Sequence, residues 1–395
     1  MRIIWITPEC PYPPNTGGRV AIWKRIEYLA LKNEIHLYTI IESEEEKKYK
    51  SIMESVCSSV HFYKRTSIMK SLLFSVKFPY PAASRWNSSL KKDLEEIYNK
   101  KNIDYIIVDF PQMLGCLPKN IINSDKIILH QHNIEYMTMR DIAQLFKNPL
   151  KRIIYKFVAK QLKRYEKSIY EKDFIRLYTF VSESDKKFFE EKFHKTNTLL
   201  VPIGAEIKKS KIMPYCHNLL FVGKMSYKPN EEGVMWIMEK ILPRIKTVVP
   251  DVNLLIVGKS PSKMVIDKAS ELGNVIVTGL VPNLAKYYEA SNIAIVPIMN
   301  GGGVNVKLLE ALGCGKITIT TSKGTEGTSL IGGIHLLEAD EEERFTEYCI
   351  DALVNPQNYE KMLNQSYEYM NNEYSWEVII QRFENKLEEI SSRGK

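Results

Sequence analysis

Several patterns that mark common protein classes are missing from this sequence. No apolar run approaches the roughly 20 residues that span a bilayer, and no Cys-x-x-Cys pair suggests a disulfide framework or a structural zinc site. Neither half has Gly-x-Gly-x-x-Gly after its first strand pattern, which argues against a dehydrogenase. Internal repeats and low-complexity tracts are also absent. We expect the scattered cysteines to be reduced and mostly buried: Cys10, Cys57, Cys116, Cys216, Cys314 and Cys349.

The amino-terminal segment lacks the layout of a signal peptide, because Met1 to Pro8 runs directly into a strand pattern. Together with the missing apolar runs, this predicts a cytoplasmic protein. The 395 residues exceed what one hydrophobic core usually fills, so two domains of about 200 residues each are expected. With 44% hydrophobic and 26% charged residues, the composition is that of an ordinary soluble protein.

The net charge of +8 is distributed unevenly. Residues 1–210 hold 36 Lys and Arg against 24 Asp and Glu, about +12, which leaves about −4 for the remainder. The densest basic segment, Lys147 to Lys172, predicts a basic amphipathic helix suited to an anionic membrane surface. A solvated helix that packs through its apolar stripe accounts for the same pattern. Nucleic acid is not a predicted partner, because no recognised binding motif accompanies the basic residues.

Both halves alternate short apolar strands with helices, which predicts α/β folds with parallel, doubly wound sheets. A polar, turn-rich stretch predicts a boundary between an amino-terminal domain, 1–205, and a carboxyl-terminal domain, 206–395. The predicted strands are residues 2–6, 35–40, 60–63, 105–108, 127–130 and 177–181, then 219–222, 252–257, 275–278, 293–296, 318–320 and 335–337.

A glycine run, Gly301, Gly302 and Gly303, separates one predicted strand from a predicted helix at 304–312. Free backbone N–H groups in the first turn of such a helix stabilise an anion. Lys307 can bond a phosphate from that helix, whereas Glu310 can accept from sugar hydroxyls. The segment therefore suits a ligand with phosphate and sugar hydroxyls, although a plain packing turn explains the glycines equally well.

Two loops after strands in the first half carry further candidates, because ligands of doubly wound sheets bind at the carboxyl ends of strands. Gly17 and Gly18, followed by Arg19, open a predicted helix and permit close backbone approach; a structural Pro-rich turn fits equally well. The second loop contains two histidines and a carboxylate: His130, His132 and Glu135.

A histidine in this second loop can position a substrate hydroxyl or relay a proton. A core histidine with a satisfied hydrogen bond is the alternative. The His-x-His spacing lacks the further ligands that mark zinc, so no metal is predicted.

In the second half, Gly223 and Lys224 follow the first strand directly, with Lys228 close behind. Two lysines in this position can neutralise a diphosphate leaving group, although a solvated turn is the simpler alternative. A glycine-rich polar loop at 321–327 follows another strand and is expected beside the same ligand.

Taken in order, these segments resemble glycosyltransferase family 4, and the likeness covers most of the chain. In the first half it rests more loosely on Gly17 and Gly18, on the His132-Asn-Ile-Glu135 element and on residues 181–185. It is carried best by five segments of the second half: residues 220–233, 250–258, 277–283, 301–311 and 324–327.

The resemblance implies the GT-B architecture, in which two doubly wound Rossmann-like domains face each other across a cleft. It also implies transfer of a sugar from a UDP- or GDP-sugar to an acceptor hydroxyl, with retention of configuration and without a metal or other cofactor. The leaving phosphate itself would accept the proton of the acceptor. With the basic helix, it implies cell-envelope or extracellular polysaccharide synthesis at the inner face of a bacterial membrane, on a lipid-linked saccharide.

Residue roles follow from the same resemblance. Lys224 and Lys228 would hold the donor phosphates, and Glu310 would accept from the donor ribose. Gly302 and Gly303 would offer backbone N–H groups. His132 would position a hydroxyl near the reacting sugar.

This sequence also departs from the family pattern. Gly302 stands where many members have a glutamate, Asn305 where an arginine often precedes the phosphate-loop lysine, and Lys228 is one residue out of register. A catalytically degenerate GT-B subunit that docks an active partner therefore remains open. A sugar-nucleotide 2-epimerase, which shares the two-domain shape, is a further alternative.

Overall fold

Two units make up the chain in a computed structural model that describes residues 1–395 except 77, 147, 210, 214, 215, 302 and 393–395. Unit 1 comprises Met1–Pro202 together with Ile379–Lys395, and unit 2 comprises Ile203–Val378. The final helix therefore contributes most of its residues to the unit that holds the amino terminus.

Unit 1 contains a sheet of seven parallel strands in the order β3-β2-β1-β4-β5-β6-β7. The strands are β1 (Arg2–Thr7), β2 (Glu34–Ile41), β3 (Ser59–Lys64), β4 (Tyr105–Asp109), β5 (Ile127–Gln131), β6 (Ile175–Phe180) and β7 (Thr198–Leu200). The helices before unit 2 are α1 (Gly17–Ala30), α2 (Lys50–Glu54), α3 (Ile68–Phe74), α4 (Tyr80–Ala83), α5 (Ser88–Lys100), α6 (Lys119–Ile122), α7 (Glu135–Leu145), α8 (Pro149–Tyr170) and α9 (Glu183–Phe193). Two 3-10 helices lie at Glu44–Tyr49 and Pro111–Cys116.

Unit 2 contains six parallel strands in the order β10-β9-β8-β11-β12-β13. They are β8 (Asn218–Val222), β9 (Asn253–Val257), β10 (Val275–Gly279), β11 (Ile293–Val296), β12 (Ile317–Thr320) and β13 (Leu337–Glu338). The helices are α10 (Lys228–Trp236), α11 (Leu242–Val248), α12 (Lys263–Leu272), α13 (Ala285–Glu289), α14 (Val306–Gly313), α15 (Ser322–Thr325), α16 (Glu342–Val354) and α17 (Glu360–Glu373), and the last helix of the chain is α18 (Trp376–Ser392). A π-helical turn spans Ile237–Ile241, and a 3-10 helix spans Pro356–Tyr359.

Each sheet is covered by apolar side chains, as parallel strands require. In unit 1, Trp5 of β1 and Ile22 of α1 share a buried cluster with Ile379, Phe383 and other residues of α18. A second cluster lies on the other face of that sheet and includes residues of α5, α8 and α9. The core of unit 2 joins β8, β9, β11 and β12 to α10, α11 and α16.

The predicted α/β class and the parallel, doubly wound sheets are confirmed. All twelve predicted strands overlap an observed one, whereas β7 was not predicted. β7 was missed because Thr198–Leu200 is only half-buried and contributes three residues. The glycine-run helix begins at Val306 rather than at residue 304, because Gly303 adopts a positive φ of 82° before it.

The cysteines of the described chain are all free thiols, and four of the six are buried, as expected. Among the described residues, no helix is both long and apolar enough to cross a bilayer.

Candidate functional site

In unit 2, β8 and β11 are neighbouring central strands. β9 and β10 lie beyond β8 on one side of the sheet, and β12 and β13 lie beyond β11 on the other side, so the strand order reverses between β8 and β11. Loops that leave the two central strands of such a sheet diverge and open a crevice, the usual ligand position in this fold class. Glycines hold the surrounding backbone close together. A Cβ on Gly233 of α10 would lie 1.9 Å from the carbonyl oxygen of Pro297, and one on Gly258 would lie 1.8 Å from that of Gly223.

The glycine run leaves β11 and turns into α14. Gly301 has a φ of 118°, and a Cβ there would lie 2.9 Å from the hydroxyl of Tyr227. Asn305 is the N-cap residue of α14, but its side chain makes no capping bond and instead donates to the carbonyl oxygen of Gly324, 3.0 Å away. The amino end of α14 therefore has no side-chain cap competing with an anion. Gly302 lies outside the described residues.

Asn230, which is 3% exposed, connects the two loops of the crevice. Its amide nitrogen donates to the backbone carbonyl of Lys224, 2.9 Å away, and its amide oxygen accepts from the ammonium of Lys307. The same ammonium lies 5.3 Å from the ring centroid of Phe221, which is within range of a cation–π interaction. Lys307 is thereby held at the carboxyl end of β8.

Burial perturbs both ionisable groups of α14. It lowers the pKa of Lys307 to about 8, while the carboxylate of Glu310 acts in the opposite direction. Burial raises the pKa of Glu310 to about 7, with Lys307 lowering it and Glu206 raising it further. Each charge costs free energy until a ligand satisfies it, and perturbed groups of this kind cluster at functional sites.

The other predicted lysines lie at the surface. The Lys224 side chain is exposed, so it is free to reach a ligand beside the crevice. Lys228 is exposed as well and forms ion pairs with Glu231 at 3.4 Å and Glu232 at 3.8 Å. The side-chain amide of Asn230 thus connects the backbone of Lys224 to the ammonium of Lys307, and Glu310 lies one helical turn beyond Lys307 in α14.

A small polar hollow lies beside the glycine run. It is lined by Tyr227, Ile298, Asn300, Gly301, Gly303, Asn305, Lys323 and Glu326. The predicted loop at 321–327 therefore lines this hollow together with the glycine run, whereas Lys224, Lys307 and Glu310 are not among its lining residues.

In unit 1, the reversal point between β1 and β4 contains a buried polar cluster. Asp109, the last residue of β4, is fully buried and accepts from the indole N–H of Trp5 at 2.5 Å. Its other carboxylate oxygen lies 3.1 Å from Nε2 of His132. The ring of His132 stacks on Phe110 with centroids 4.4 Å apart. His132 is thus held by two consecutive residues at the end of β4, Asp109 through a hydrogen bond and Phe110 through stacking, as a positioned substrate ligand needs to be.

His130 and Arg25 complete this cluster. His130 bonds Thr179 through Nδ1, and its buried Nε2 has no partner among the described residues. Arg25 donates to the carbonyl oxygens of Val201 and Pro202 at 2.8 and 3.2 Å. Burial lowers the pKa of both histidines, and the Arg25 guanidinium acts in the same direction.

The ligand atoms of Asp109, His130 and His132 lie within 4.8 Å of one another, close enough to consider a metal ion. The buried guanidinium of Arg25 interacts favourably with the carboxylate of Asp109 and already supplies a positive charge there. Two imidazoles and one carboxylate are a donor set that can ligate a divalent metal, but the fixed cation beside them disfavours a second positive charge.

The remaining predicted residues are engaged within unit 1. Gly17 and Gly18 begin α1, and Arg19 pairs with Glu9 at 3.1 Å and Glu46 at 2.9 Å. These ion pairs give Arg19 a structural role in the loop. Glu135 is the first residue of α7, where its carboxylate accepts from the side-chain amide of Gln112 at 2.8 Å.

Asp109, Arg25 and Asn230 were not singled out by the sequence analysis. Each sits in an ordinary pattern: Asp109 ends an apolar strand, Arg25 interrupts an apolar helix face, and Asn230 follows a proline. For Asp109 and Arg25 the available signal was a charged residue beside or within an apolar segment, which calls for a partner; Asn230 carried no such signal.

Comparison with known proteins gives a family match within unit 2. Residues 216–355, which include the glycine run and α14, match the family model Glycosyl transferases group 1. An "Uncharacterized 44.6 kDa protein in cps region" of Klebsiella pneumoniae is 25% identical over 96% of this chain and 98% of its own length. A lipopolysaccharide 1,2-N-acetylglucosaminetransferase of Salmonella typhimurium is 23% identical over a match that covers 51% of this chain and 59% of that relative.

Solved structures share the fold at low sequence identity. Anabaena HepE in complex with UDP and glucose has a TM-score of 0.63 at 12% identity, covering 98% of this chain and 100% of that one. A glycosyltransferase from Rickettsia africae has a TM-score of 0.67 at 14% identity, covering 98% of both chains. WaaG, a glycosyltransferase involved in lipopolysaccharide biosynthesis, has a TM-score of 0.62 at 13% identity, covering 96% of this chain and 98% of its own. The family match and the shared fold together support a glycosyltransferase with the GT-B fold.

Proposed function

We propose that this protein is a retaining glycosyltransferase, which moves a sugar from a UDP- or GDP-sugar to a hydroxyl group of a saccharide acceptor. The observation that carries the proposal is the crevice of unit 2. There, an uncapped helix end and the partly buried Lys307 offer positive potential to a diphosphate, and Glu310 offers an acceptor for sugar hydroxyls. A ligand with both features satisfies every perturbed group of α14.

In the proposed reaction the protein supplies charge stabilisation rather than a nucleophile. Lys224, Lys228 and the backbone N–H groups of Gly302 and Gly303 bind the donor diphosphate, so the charge that develops on departure is met without a metal. Glu310 binds the donor ribose. The acceptor hydroxyl attacks on the face that the diphosphate leaves, and the leaving phosphate takes its proton, which retains the anomeric configuration.

His132 has the complementary role in unit 1. Because burial lowers its pKa, the imidazole is neutral near pH 7 and can hydrogen-bond a sugar hydroxyl without carrying charge. We assign it to positioning the reacting sugar. Gly17, Gly18, Arg19, His130 and Glu135 form the proposed acceptor-side surroundings of this group.

We further propose a lipid-linked acceptor in capsule or lipopolysaccharide-type synthesis, and docking at an anionic membrane surface. The pathway class is supported by the Klebsiella relative, a protein of the cps region, and by the Salmonella relative, a lipopolysaccharide 1,2-N-acetylglucosaminetransferase. The docking surface, which we call the apolar–basic surface, consists of the exposed residues of α3 and of the first half of α8. Its large apolar members are Ile68, Met69, Leu72, Leu73, Leu150, Ile153, Ile154 and Phe157, each at least half exposed.

The two helices of the apolar–basic surface are held together. Gln161 of α8 donates to the carbonyl oxygen of Ser75, which follows α3, at 2.9 Å. Exposed basic residues, among them Lys151, Lys156 and Lys160, share α8 with the apolar ones. Apolar side chains that insert and lysines that attract anionic headgroups are the two components of stable interfacial binding. Lys147 lies outside the described residues.

Donor turnover tests the proposal. The full chain is incubated with UDP- and GDP-sugars and a membrane extract containing lipid-linked saccharides, and product is followed with labelled sugar. We expect Glu310→Ala and Lys224→Ala to lower turnover at least hundredfold, while the exposed Glu368→Ala and Lys246→Ala retain it.

Other outcomes identify the alternatives. Near-normal turnover by both site variants would overturn the assignment. Conversion of the sugar nucleotide without acceptor would indicate the 2-epimerase. The degenerate partner subunit would be indicated if the chain binds nucleotide without turning it over and turnover is restored by adding a second glycosyltransferase from the same cell.

A further inference from the structure

Asp109 is placed to control the hydrogen-bonding state of His132. Its carboxylate is fully buried, and each oxygen has one partner: Oδ2 accepts from Trp5 and Oδ1 faces Nε2 of His132. An ionised carboxylate has no proton to donate, so the hydrogen bond to His132 requires the proton on Nε2. Nδ1 of a neutral imidazole is then an acceptor.

No hydrogen bond to Nδ1 of His132 occurs within the part of the chain that the structure describes. The ring cannot rotate easily, because it lies almost parallel to Phe110, with 4° between planes, and meets the edge of His130 at 4.9 Å. Phe110 itself adopts a φ of 65°, a conformation that non-glycine residues seldom adopt. The stacked ring therefore keeps Nε2 of His132 toward Asp109, and the Phe110 backbone beside it is strained.

Burial favours a neutral ring. It lowers the pKa of His132 and outweighs Asp109 and Glu9, which favour the imidazolium form, while Arg25 acts in the same direction as burial. A neutral ring exists as one of two tautomers, so the direction of the Asp109 hydrogen bond decides which nitrogen accepts.

We propose that Asp109 is a positioning residue that holds His132 in the Nε2–H tautomer, so that Nδ1 accepts a hydrogen bond from a hydroxyl group of the sugar substrate. The assignment of that hydroxyl to a sugar rests on the proposed function. The tautomer itself rests only on Asp109, Trp5 and the stacked ring.

The test uses Asp109→Asn, which keeps the shape of the side chain. The asparagine oxygen can still accept from Trp5, and its amide nitrogen then donates to Nε2 of His132, which reverses the tautomer to Nδ1–H. Nitrogen NMR of the full chain labelled at its seven histidines distinguishes the tautomers without substrate. Resonances are assigned by their loss in His132→Ala.

We expect a protonated Nε2 and an unprotonated Nδ1 in the wild type, exchanged in Asp109→Asn. Turnover, measured as kcat/KM, should fall at least tenfold, since partners that orient a functional histidine are typically worth that much. The affinity of Asp109→Asn for UDP or GDP alone should change less than twofold. General destabilisation of the fold would lower nucleotide affinity together with kcat/KM, so it would not give this result. Thr179→Val, which removes the partner of His130, should leave the His132 tautomer unchanged.

Three results with the wild type and Asp109→Asn would overturn the inference, and a fourth concerns a metal. These are the Nδ1–H tautomer in the wild type, an unchanged tautomer in Asp109→Asn, or a reversed tautomer with unchanged turnover. A shift of the His132 resonances on adding Zn²⁺ to the wild type would overturn it too, in favour of a metal site. Failure of the proposed function gives a different result. In that case the wild type shows the expected tautomer but turns over no sugar nucleotide, and the hydroxyl bound by Nδ1 is then not that of a sugar substrate.

Discussion

Around the reversal point of unit 1 the strands run in the order β2-β1-β4-β5, and in unit 2 the equivalent order is β9-β8-β11-β12. The same position in the same fold carries different chemistry in the two units. Unit 2 presents glycines, an uncapped helix end and a partly buried lysine. Unit 1 presents a buried carboxylate, two imidazoles and a guanidinium, which bond one another, neighbouring side chains or the backbone.

This difference shows what the fold contributes and what it leaves open. Parallel strands fix where the loops diverge, whereas the residues at strand ends decide which ligand chemistry suits the gap. Unit 2 exposes backbone donors to an anion. Unit 1 fixes the orientation of a neutral side chain. The following predictions test that contrast.

The largest expected effect is on the backbone packing of unit 2. Gly233→Ala should lower the free energy of unfolding by about 3 kcal/mol, because the new Cβ would lie 1.9 Å from the carbonyl oxygen of Pro297. Helix propensity alone predicts the opposite sign, a gain of about 1 kcal/mol. Denaturant unfolding measures the difference. Gly115→Ala in unit 1, where a Cβ has no neighbour closer than 3.9 Å, is the matched control and should change stability by less than about 1 kcal/mol.

The second effect concerns the buried cation. Lys307→Met keeps the length of the side chain and removes the charge that faces Asn230. Affinity for UDP or GDP should fall about a hundredfold, equivalent to about 2.7 kcal/mol. Isothermal titration calorimetry measures it, with the exposed Lys246→Met as control. Unchanged nucleotide affinity would place the diphosphate elsewhere.

The third effect is a pH dependence that only unit 2 should introduce. Glu310 has a pKa of about 7, so its ionised, hydroxyl-accepting form is depleted as the pH falls below that value. Affinity for a sugar nucleotide, whose diphosphate does not titrate in this range, should decrease by up to about tenfold per pH unit from pH 7 to 6. Glu310→Gln should bind the sugar nucleotide more weakly than the wild type at pH 8, and its affinity should stay constant from pH 7 to 6. A wild-type affinity that is constant across this range would contradict the role of Glu310.

The raised pKa of Glu310 also determines how this residue changes the stability of the protein with pH. A carboxyl whose folded pKa is raised contributes most stability below its unfolded value, and that contribution is lost as the pH rises through about 7. Glu310→Gln should therefore gain unfolding free energy relative to the wild type at pH 8 but not at pH 4. Thermal unfolding at the two pH values checks this.

The smallest effect involves the apolar–basic surface of unit 1. Lys156→Ala should weaken adsorption to vesicles containing anionic lipid about fivefold at low salt, since each lysine contributes about 1 kcal/mol. The loss should diminish at high salt, as charges are screened. Phe157→Ser should weaken adsorption at both salt concentrations.

Sedimentation with vesicles separates these two components. Lys263→Ala in unit 2 is the control and should adsorb like the wild type. Equal adsorption of the wild type to neutral and anionic vesicles would exclude an electrostatic component.

Local patterns were sufficient for much of the fold. Apolar runs of about four residues, such as those of β4, β5 and β11, predicted strands because a strand buried on both faces is mostly apolar. The glycine run predicted the turn into α14, since Gly301 and Gly303 need positive φ values that other residues avoid. In both cases the cause lies within a few residues of chain.

The candidate site was predictable only in part. His132, Lys307 and Glu310 were identified from their own segments, but the partners that define their states were not. Asn230 reaches Lys307 across 77 positions. Asp109 meets Trp5 across 104 positions.

By itself, the sequence determined which segments are strands or helices and which residues could bear charge beside a glycine-rich turn. The tertiary structure alone decided which of those residues meet. Parallel strands bring their carboxyl ends to one edge of a sheet regardless of their separation along the chain, and burial at that edge then shifts the pKa values of Lys307, Glu310 and His132. Burial and long-range contact are properties of the folded chain, so no local pattern encodes them.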